Sequence, residues 1–268
     1  MRIELIFNDI VSKQNGTMKF SMIAFLVFLS IGFKGFSKCG GANLSVFPEK
    51  REIKNTSLFL LEGYAGSQLT VENLNTKFPI YLKSGNEKIS LLVIETHKGI
   101  FQLTQALLKP EKPLTPGKEY QLIIDSLPKF EHLDRYNEQR EKYEPIFYLA
   151  LDEEDKTIPE WNAVVKEKGK SMEQYGCGPA VHVTFHFNAS DESELLVKTT
   201  MKSIETGREI TYILISDKKA VSIGHGMCSG AFTFREGTDY QVQFSLIDAS
   251  GNVSDKVSDW IAFTRPVN

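Results

Sequence analysis

The feature that most constrains the fold is a repeated corner. Leu114-Thr115-Pro116-Gly117-Lys118-Glu119-Tyr120-Gln121-Leu122-Ile123-Ile124 aligns with Phe234-Arg235-Glu236-Gly237-Thr238-Asp239-Tyr240-Gln241-Val242-Gln243-Phe244, and the shared core is Gly-x-acidic-Tyr-Gln-apolar. Each copy predicts one turn feeding one strand. Gly117 and Gly237 suit the tight corner because glycine takes positive φ without steric cost. Tyr120 and Tyr240 head the strands, where a ring can be buried and a hydroxyl returned to nearby backbone. Beyond them Leu122 and Ile124, or Val242, Phe244 and Leu246, keep one face at period two, as a half-buried strand requires.

The rest of the chain reads the same way. Short apolar runs bounded by Gly, Pro, Asn, Asp and Ser recur at Leu58–Leu61, Ile89–Thr96, Tyr120–Ile124, Val181–Phe187, Ile210–Ile215 and Tyr240–Ile247, which is strand-and-turn spacing. In the fourth run Val181, Val183, Phe185 and Phe187 share one face and His182, Thr184 and His186 the other. One face is core and one is wet.

These corner segments resemble the turn before the sixth strand of fibronectin type III and bacterial immunoglobulin-like domains, where a tyrosine corner is usual. The second copy runs on into Asp248-Ala249-Ser250-Gly251-Asn252-Val253-Ser254, similar to the Asp-x-x-Gly-Asn-x-Ser hairpin that closes many bacterial members. The resemblance implies an all-β chain: two tandem Ig-like or fibronectin type III-like β-sandwiches, at 38–151 and 152–268, after an N-terminal signal peptide. It implies no chemistry. The join falls near the acidic run Asp152–Asp155, read as a solvated linker, followed by Trp161 as core or interdomain packing. Between the corner and the join, Lys129–Tyr143 is strongly charged. A helix and a solvated loop both stand as readings of it, the loop being the plainer one.

Export is expected from the first 37 residues. Lys19 precedes an apolar run, Met22–Phe33, and Gly35-Phe36-Ser37 supplies small residues at a cleavage site before Lys38. The run has twelve residues, short of the about 20 that a spanning helix needs. No transmembrane span is therefore expected after cleavage, and Met18 is a plausible true start. The protein is expected in the periplasm, at the cell surface or outside the cell. Of 31 basic and 34 acidic residues the leader holds four and two, leaving 27 and 32. A mildly acidic chain without a basic tract excludes a nucleic-acid role.

In an exported chain the three cysteines are disulfide candidates first. Cys177 sits just ahead of one expected strand and Cys228 ahead of Ala231–Phe234, so the expected pair is Cys177–Cys228. Such a bond closes about 50 residues and contributes about 4 kcal/mol by chain entropy. Cys39 is left over, a lipidated N-terminus being the minority reading because Lys38 is not small.

Candidate chemistry is thin. Gly226-Met227-Cys228-Ser229-Gly230 imitates a nucleophile elbow with His225 before it, but the elbow needs a helix after the turn, and Ala231–Phe234 is strand material. His182, His186 and His225 are weak metal candidates that suit copper if they meet a thiol or Met227. Residues four apart on a strand are separated by about 13 Å, so His182 and His186 need ligands from other elements. No catalytic residue and no cofactor site is assigned. The expected function is a non-catalytic binding or structural protein whose partner is an unknown protein or glycan at the cell envelope. A copper-handling protein, and a hydrolase assembled only by folding, are the alternatives.

Overall fold

The computed structural model describes residues 39–216 and 220–267; the expected signal peptide, 1–37, lies outside the described residues. Strands dominate. The one helix among the described residues is the single turn α1 (Gln68–Glu72).

The first half builds an eight-stranded sheet. Its strands are β1 (Ala42–Phe47), β2 (Glu52–Lys54), β3 (Phe59–Ala65), β4 (Ile80–Ser84), β5 (Glu87–Lys98), β6 (Leu103–Pro110), β7 (Glu119–Ile124) and β10 (Phe147–Leu151). Their order is β1-β3-β6-β5-β4-β7-β10-β2. Strand β5 serves two wings: Glu87–Ser90 pairs with β4, and Leu91–Lys98 pairs with β6 through a register shift between Val93 and Glu95. A bulge of that kind bends its strand and increases the twist. Leu44, Phe59 and Leu108 from one wing and Leu82, Leu122 and Tyr148 from the other then meet in one core.

The second half is two sheets around a second core. One is β11 (Glu160–Tyr175), β12 (Gly178–Ser190) and β15 (Ala220–His225); the other runs β14 (Glu209–Ile215), β13 (Leu195–Ser203), β16 (Asp239–Asp248), β17 (Ile261–Thr264). Val181, Val183, Phe185 and Phe187 of β12 are all buried against Val197, Val242, Phe244 and Phe263. Trp161 joins them edge-on to Phe187 at 5.7 Å. The period-two pattern of β12 thus corresponds to a real inward face.

At the two corners, Gly117 and Gly237 have φ of +75° and +114°. The Tyr120 hydroxyl accepts from the Thr115 amide at 3.1 Å and donates to Glu87 at 3.1 Å. The Tyr240 hydroxyl accepts from the Glu236 amide at 3.1 Å. Both rings are buried, and each hydroxyl ties a backbone amide of the turn to the strand that follows. Tyr240→Phe is expected to cost about 1 kcal/mol through the lost hydrogen bond to the Glu236 amide, read as a lower urea midpoint at unchanged slope.

Two expectations fail. Lys129–Tyr143 forms neither a helix nor an open loop: β8 (Asp134–Asn137) and β9 (Lys142–Pro145) pair as a hairpin. The Asn137 side chain closes its turn by accepting the Gln139 and Arg140 amides at 3.0 and 3.1 Å, and Tyr136 stands opposite Tyr143 across the strands. Cross-strand aromatic pairing is worth some tenths of a kcal/mol to about 1. The acidic run is not wholly a solvated linker either, since Asp155 is only 5% exposed.

From Cys39 onward the chain forms one compact unit. A third core joins the halves: Phe47, Leu58, Leu60 and Leu107 pack with Leu196, Ile213 and Ile247. Beside it the buried Gln105 amide clasps the backbone of Ile213, accepting from its N–H at 2.6 Å and donating to its carbonyl at 3.0 Å. Tyr212 donates to Glu62 at 2.7 Å, and burial pushes the Glu62 carboxyl up against that hydrogen bond. These polar groups are all matched, as burial demands.

Candidate functional site

Three sulfurs meet at the edge of the β11-β12-β15 sheet. Strands β12 and β15 pair with Val181 opposite His225, so the chain entering β12 and the chain leaving β15 emerge together. Cys177 lies on the first and Cys228 on the second. The Gly226–Ser229 turn is closed by the Gly226 amide donating to the Ser229 carbonyl at 2.8 Å. Its flanks have no spare room, because a Cβ on Gly224 would fall 2.0 Å from the Val181 carbonyl oxygen and one on Gly230 would fall 2.2 Å from His225 Cβ. From the other half, Phe101 and Gly230 exchange backbone hydrogen bonds at 3.0 and 2.8 Å. Gln102 donates to the Cys228 carbonyl at 3.1 Å.

Into this corner comes Cys39, and the disulfide is Cys39–Cys228, with Cα atoms 5.2 Å apart and a sequence separation of 189. This corrects the expected Cys177–Cys228 pair. Neighbouring strand ends do bring Cys177 and Cys228 together, but β1 on β3 delivers Cys39 to the same point. Cys177 stands outside the bond, and the sulfurs of all three residues lie within 4.8 Å of one another, each residue half-buried. With Cys228 bonded, the elbow-like Gly226–Gly230 segment presents no thiol nucleophile, and no helix follows it.

The histidines are placed apart in role. His225 is buried, its Nδ1 bonded to the Gly226 carbonyl at 2.9 Å, and its ring stands edge-on to Phe101 at 5.9 Å. His182 lies opposite Gly224 on the other face of β12; burial, and then the charge of His225, push its pKa down. His186 is exposed opposite Ala220. Among the described residues the groups of three or more ligating side chains are the cysteine cluster and one acidic cluster, and neither contains a histidine.

The acidic cluster went unseen in the sequence. Carboxylate oxygens of Asp155, Asp191 and Asp248 lie within 4.8 Å of one another. Asp248 accepts the Ser250 and Asn252 amides, both at 2.8 Å, and the Asn252 side chain at 2.7 Å. Burial works against the Asp155 carboxylate, but the Ser193 hydroxyl, the Lys54 ammonium at 2.9 Å and the Thr157 amide outweigh it and hold its pKa at about 2. Asp191 has less support: one oxygen accepts the Ser193 amide at 2.7 Å and the other is buried without a partner. Burial and the charges of Asp248, Asp155 and Glu192 push its pKa up. The Asp248–Ser254 motif was visible as a turn. That Asp155 and Lys54 complete it could not be read from spacing.

The third feature is the β8–β9 hairpin. Tyr136 and Tyr143 are 49% and 71% exposed and pack edge-to-face at 5.2 Å. They border an open groove of about 710 Å³ whose wall includes Arg135, Arg140, Lys142 and the exposed Phe147.

No protein-family model matches the chain, and no curated protein matches it. Solved structures match over most of its length with little sequence in common. They include pullulanase type I from Bacillus subtilis str. 168, at 14% identity and a TM-score of 0.23, covering 79% of this chain and 23% of that one. A cytokine receptor complex chain matches at 9% identity and a TM-score of 0.25, covering 84% and 97%. The tandem Ig repeats of Dlar match at 6% identity and a TM-score of 0.23, covering 81% and 96%. The chain spans about a quarter of the length of the pullulanase. Among the described residues no helix is long and apolar enough to cross a membrane. The fold of the described residues is all-β apart from the single turn α1.

Proposed function

We propose that the chain is an exported, non-catalytic binding protein of two tandem Ig-like β-sandwich modules, 38–151 and 152–268, that offers its β8–β9 hairpin to a protein at the cell envelope. The observation that carries this reading is the exposed Tyr136–Tyr143 pair beside arginine and lysine. Binding hot spots are enriched in Tyr and Arg, which combine apolar area with hydrogen bonding at low conformational cost. The hairpin is tied to the body by Arg135, which donates to the Pro48 carbonyl at 2.9 Å, so less ordering is needed when it docks. The tandem division is supported by each half having a core and a tyrosine corner of its own. Export is supported by the Cys39–Cys228 bond, which belongs to oxidising compartments, alongside the leader pattern.

The test uses the full chain and the Tyr136→Ala/Tyr143→Ala variant as baits for chemical cross-linking on intact cells. A cross-linked protein partner is expected with the intact chain, and its purified form is expected to bind the variant at least about 30-fold more weakly, as the loss of a hot spot predicts. Equal binding by a variant with an unchanged circular dichroism spectrum and melting curve rejects the hairpin as the docking face. Binding to purified envelope glycan instead, lost in the same variant, rejects the protein partner.

A further inference from the structure

We propose that Cys39, Cys177 and Cys228 form an intramolecular thiol–disulfide exchange site, at which Cys177 takes Cys228 over from Cys39. The proposal rests on the convergence of three sulfurs from three separate stretches of chain, all within 4.8 Å of one another, with one disulfide among them. Exchange runs by thiolate attack on a disulfide sulfur, so its rate depends on access and on proximity. Both are present. The three residues are half-buried, and the attacking sulfur is held beside its target by the fold.

The choice of Cys228 as the sulfur attacked follows from the sheet. Cys177 and Cys228 flank the paired ends of β12 and β15, where Val181 faces His225. Their backbones are therefore held together by the β ladder whichever bond exists. Gly178, next to Cys177, has φ +142°, and a Cβ built on it would lie 3.9 Å from the Met227 carbonyl oxygen, so the two segments run side by side. Cys39 precedes β1 and is bonded to the corner by its disulfide, while the nearby Gly41 is held to its own half by the Gly66 amide, which donates to the Gly41 carbonyl at 3.1 Å. Cys39 is the sulfur that can leave without disturbing a strand pair.

The step balances within the chain. The Cys177 thiol gives its proton to solvent, and its thiolate attacks Cys228 Sγ. A Cys177–Cys228 bond forms as the Cys39–Cys228 bond breaks, and the electron pair leaves on Cys39 Sγ, which takes up a proton. One disulfide and one thiol stand on each side, so no external oxidant or reductant takes part. The product unties the segment before β1 from the Gly226–Ser229 turn and leaves the thiol on Cys39.

The full chain, without reductant, tests this by acid quenching, alkylation and nonreducing peptide mapping. Protein kept at about pH 5, where acid suppresses thiolate attack on disulfides, is expected to show the Cys39–Cys228 peptide and alkylated Cys177. Raised to about pH 8.5, where alkali favours the attacking thiolate, it is expected to accumulate the Cys177–Cys228 peptide and alkylated Cys39 over minutes to hours. The rate should not depend on protein concentration. Cys177→Ser is expected to keep Cys39–Cys228 at both pH values, and Cys39→Ser to oxidise to Cys177–Cys228 alone. The proposal is overturned if intact protein shows no alkylated Cys39 after a day at the higher pH, if the rate scales with concentration, or if folded Cys39→Ser leaves both remaining cysteines alkylatable in air.

Discussion

Removing the Cys39–Cys228 bond is expected to lower the unfolding free energy by about 5 kcal/mol in the chain-entropy account of a 189-residue separation. The clean comparison is Cys177→Ser, which retains the bond, against Cys39→Ser/Cys177→Ser, which leaves Cys228 alone and permits no substitute pair. Urea unfolding without reductant reads the difference, and the uncrosslinked chain should also have the steeper slope because its unfolded state exposes more surface. The bond acts mostly on the unfolded ensemble. The folded halves stay joined by Phe47, Leu58, Leu60, Leu107, Leu196 and Ile213 and by the Gln105 clasp on Ile213, so the double variant should remain folded at neutral pH. A difference below about 1 kcal/mol would mean that the unfolded chain is already compact there or that the native bond carries offsetting strain.

Lys54→Met carries the second large effect, an expected loss of about 3–5 kcal/mol at neutral pH, as when one partner of a buried ion pair is removed. Its ammonium, with the side chain 16% exposed, is the cation bonded to Asp155, and without it Asp155, Asp191 and Asp248 face one another with hydrogen bonds alone. The pH dependence follows from the shifts. Asp155 is held at about 2 in the folded chain, below its unfolded value of about 3.9. Its contribution is whole above about pH 4 and is lost as pH falls from about 4 to 2, where the unfolded chain takes a proton that the folded chain refuses. Asp191 has the opposite sign: its folded pKa lies above the unfolded one, so mild acid relieves it before Asp155 begins to titrate. Lys54 is raised by Glu192 and Asp155 against the cost of burial, so its share is present below its unfolded pKa and fades only in strong alkali. Stability of the intact chain should therefore rise slightly on mild acidification and then fall below about pH 4. In Lys54→Met the neutral-pH deficit should shrink as acid protonates the stranded carboxyls. Thermal melts of both proteins across about pH 2 to 8 check this, and parallel curves would contradict it.

The strands were legible because their signal is local. The alternation of Val181, Val183, Phe185 and Phe187 is a property of consecutive residues, and it marks the inward face of β12 whatever packs against it. The corners were legible for the same reason, Gly117 to Tyr120 and Gly237 to Tyr240 being short enough to carry their own geometry. The hairpin at Lys129–Tyr143 was missed because its charges are consistent with helix, loop or strand. The Asn137 turn and the Tyr136–Tyr143 pairing decide among them only once a register exists.

Long-range partners were not legible at all. The sequence by itself determined an all-β chain with two tyrosine corners, since side-chain period and glycine placement act over a few residues. The tertiary structure alone decided that Cys228 bonds Cys39, that Cys177 stands beside them, and that Asp155 leaves the linker to meet Lys54, Asp191 and Asp248. Each of those meetings depends on how β1, β3 and β6 bring the first half against β13, β14 and β16. Sheet order is set by total burial over the whole chain, and no local pattern encodes it.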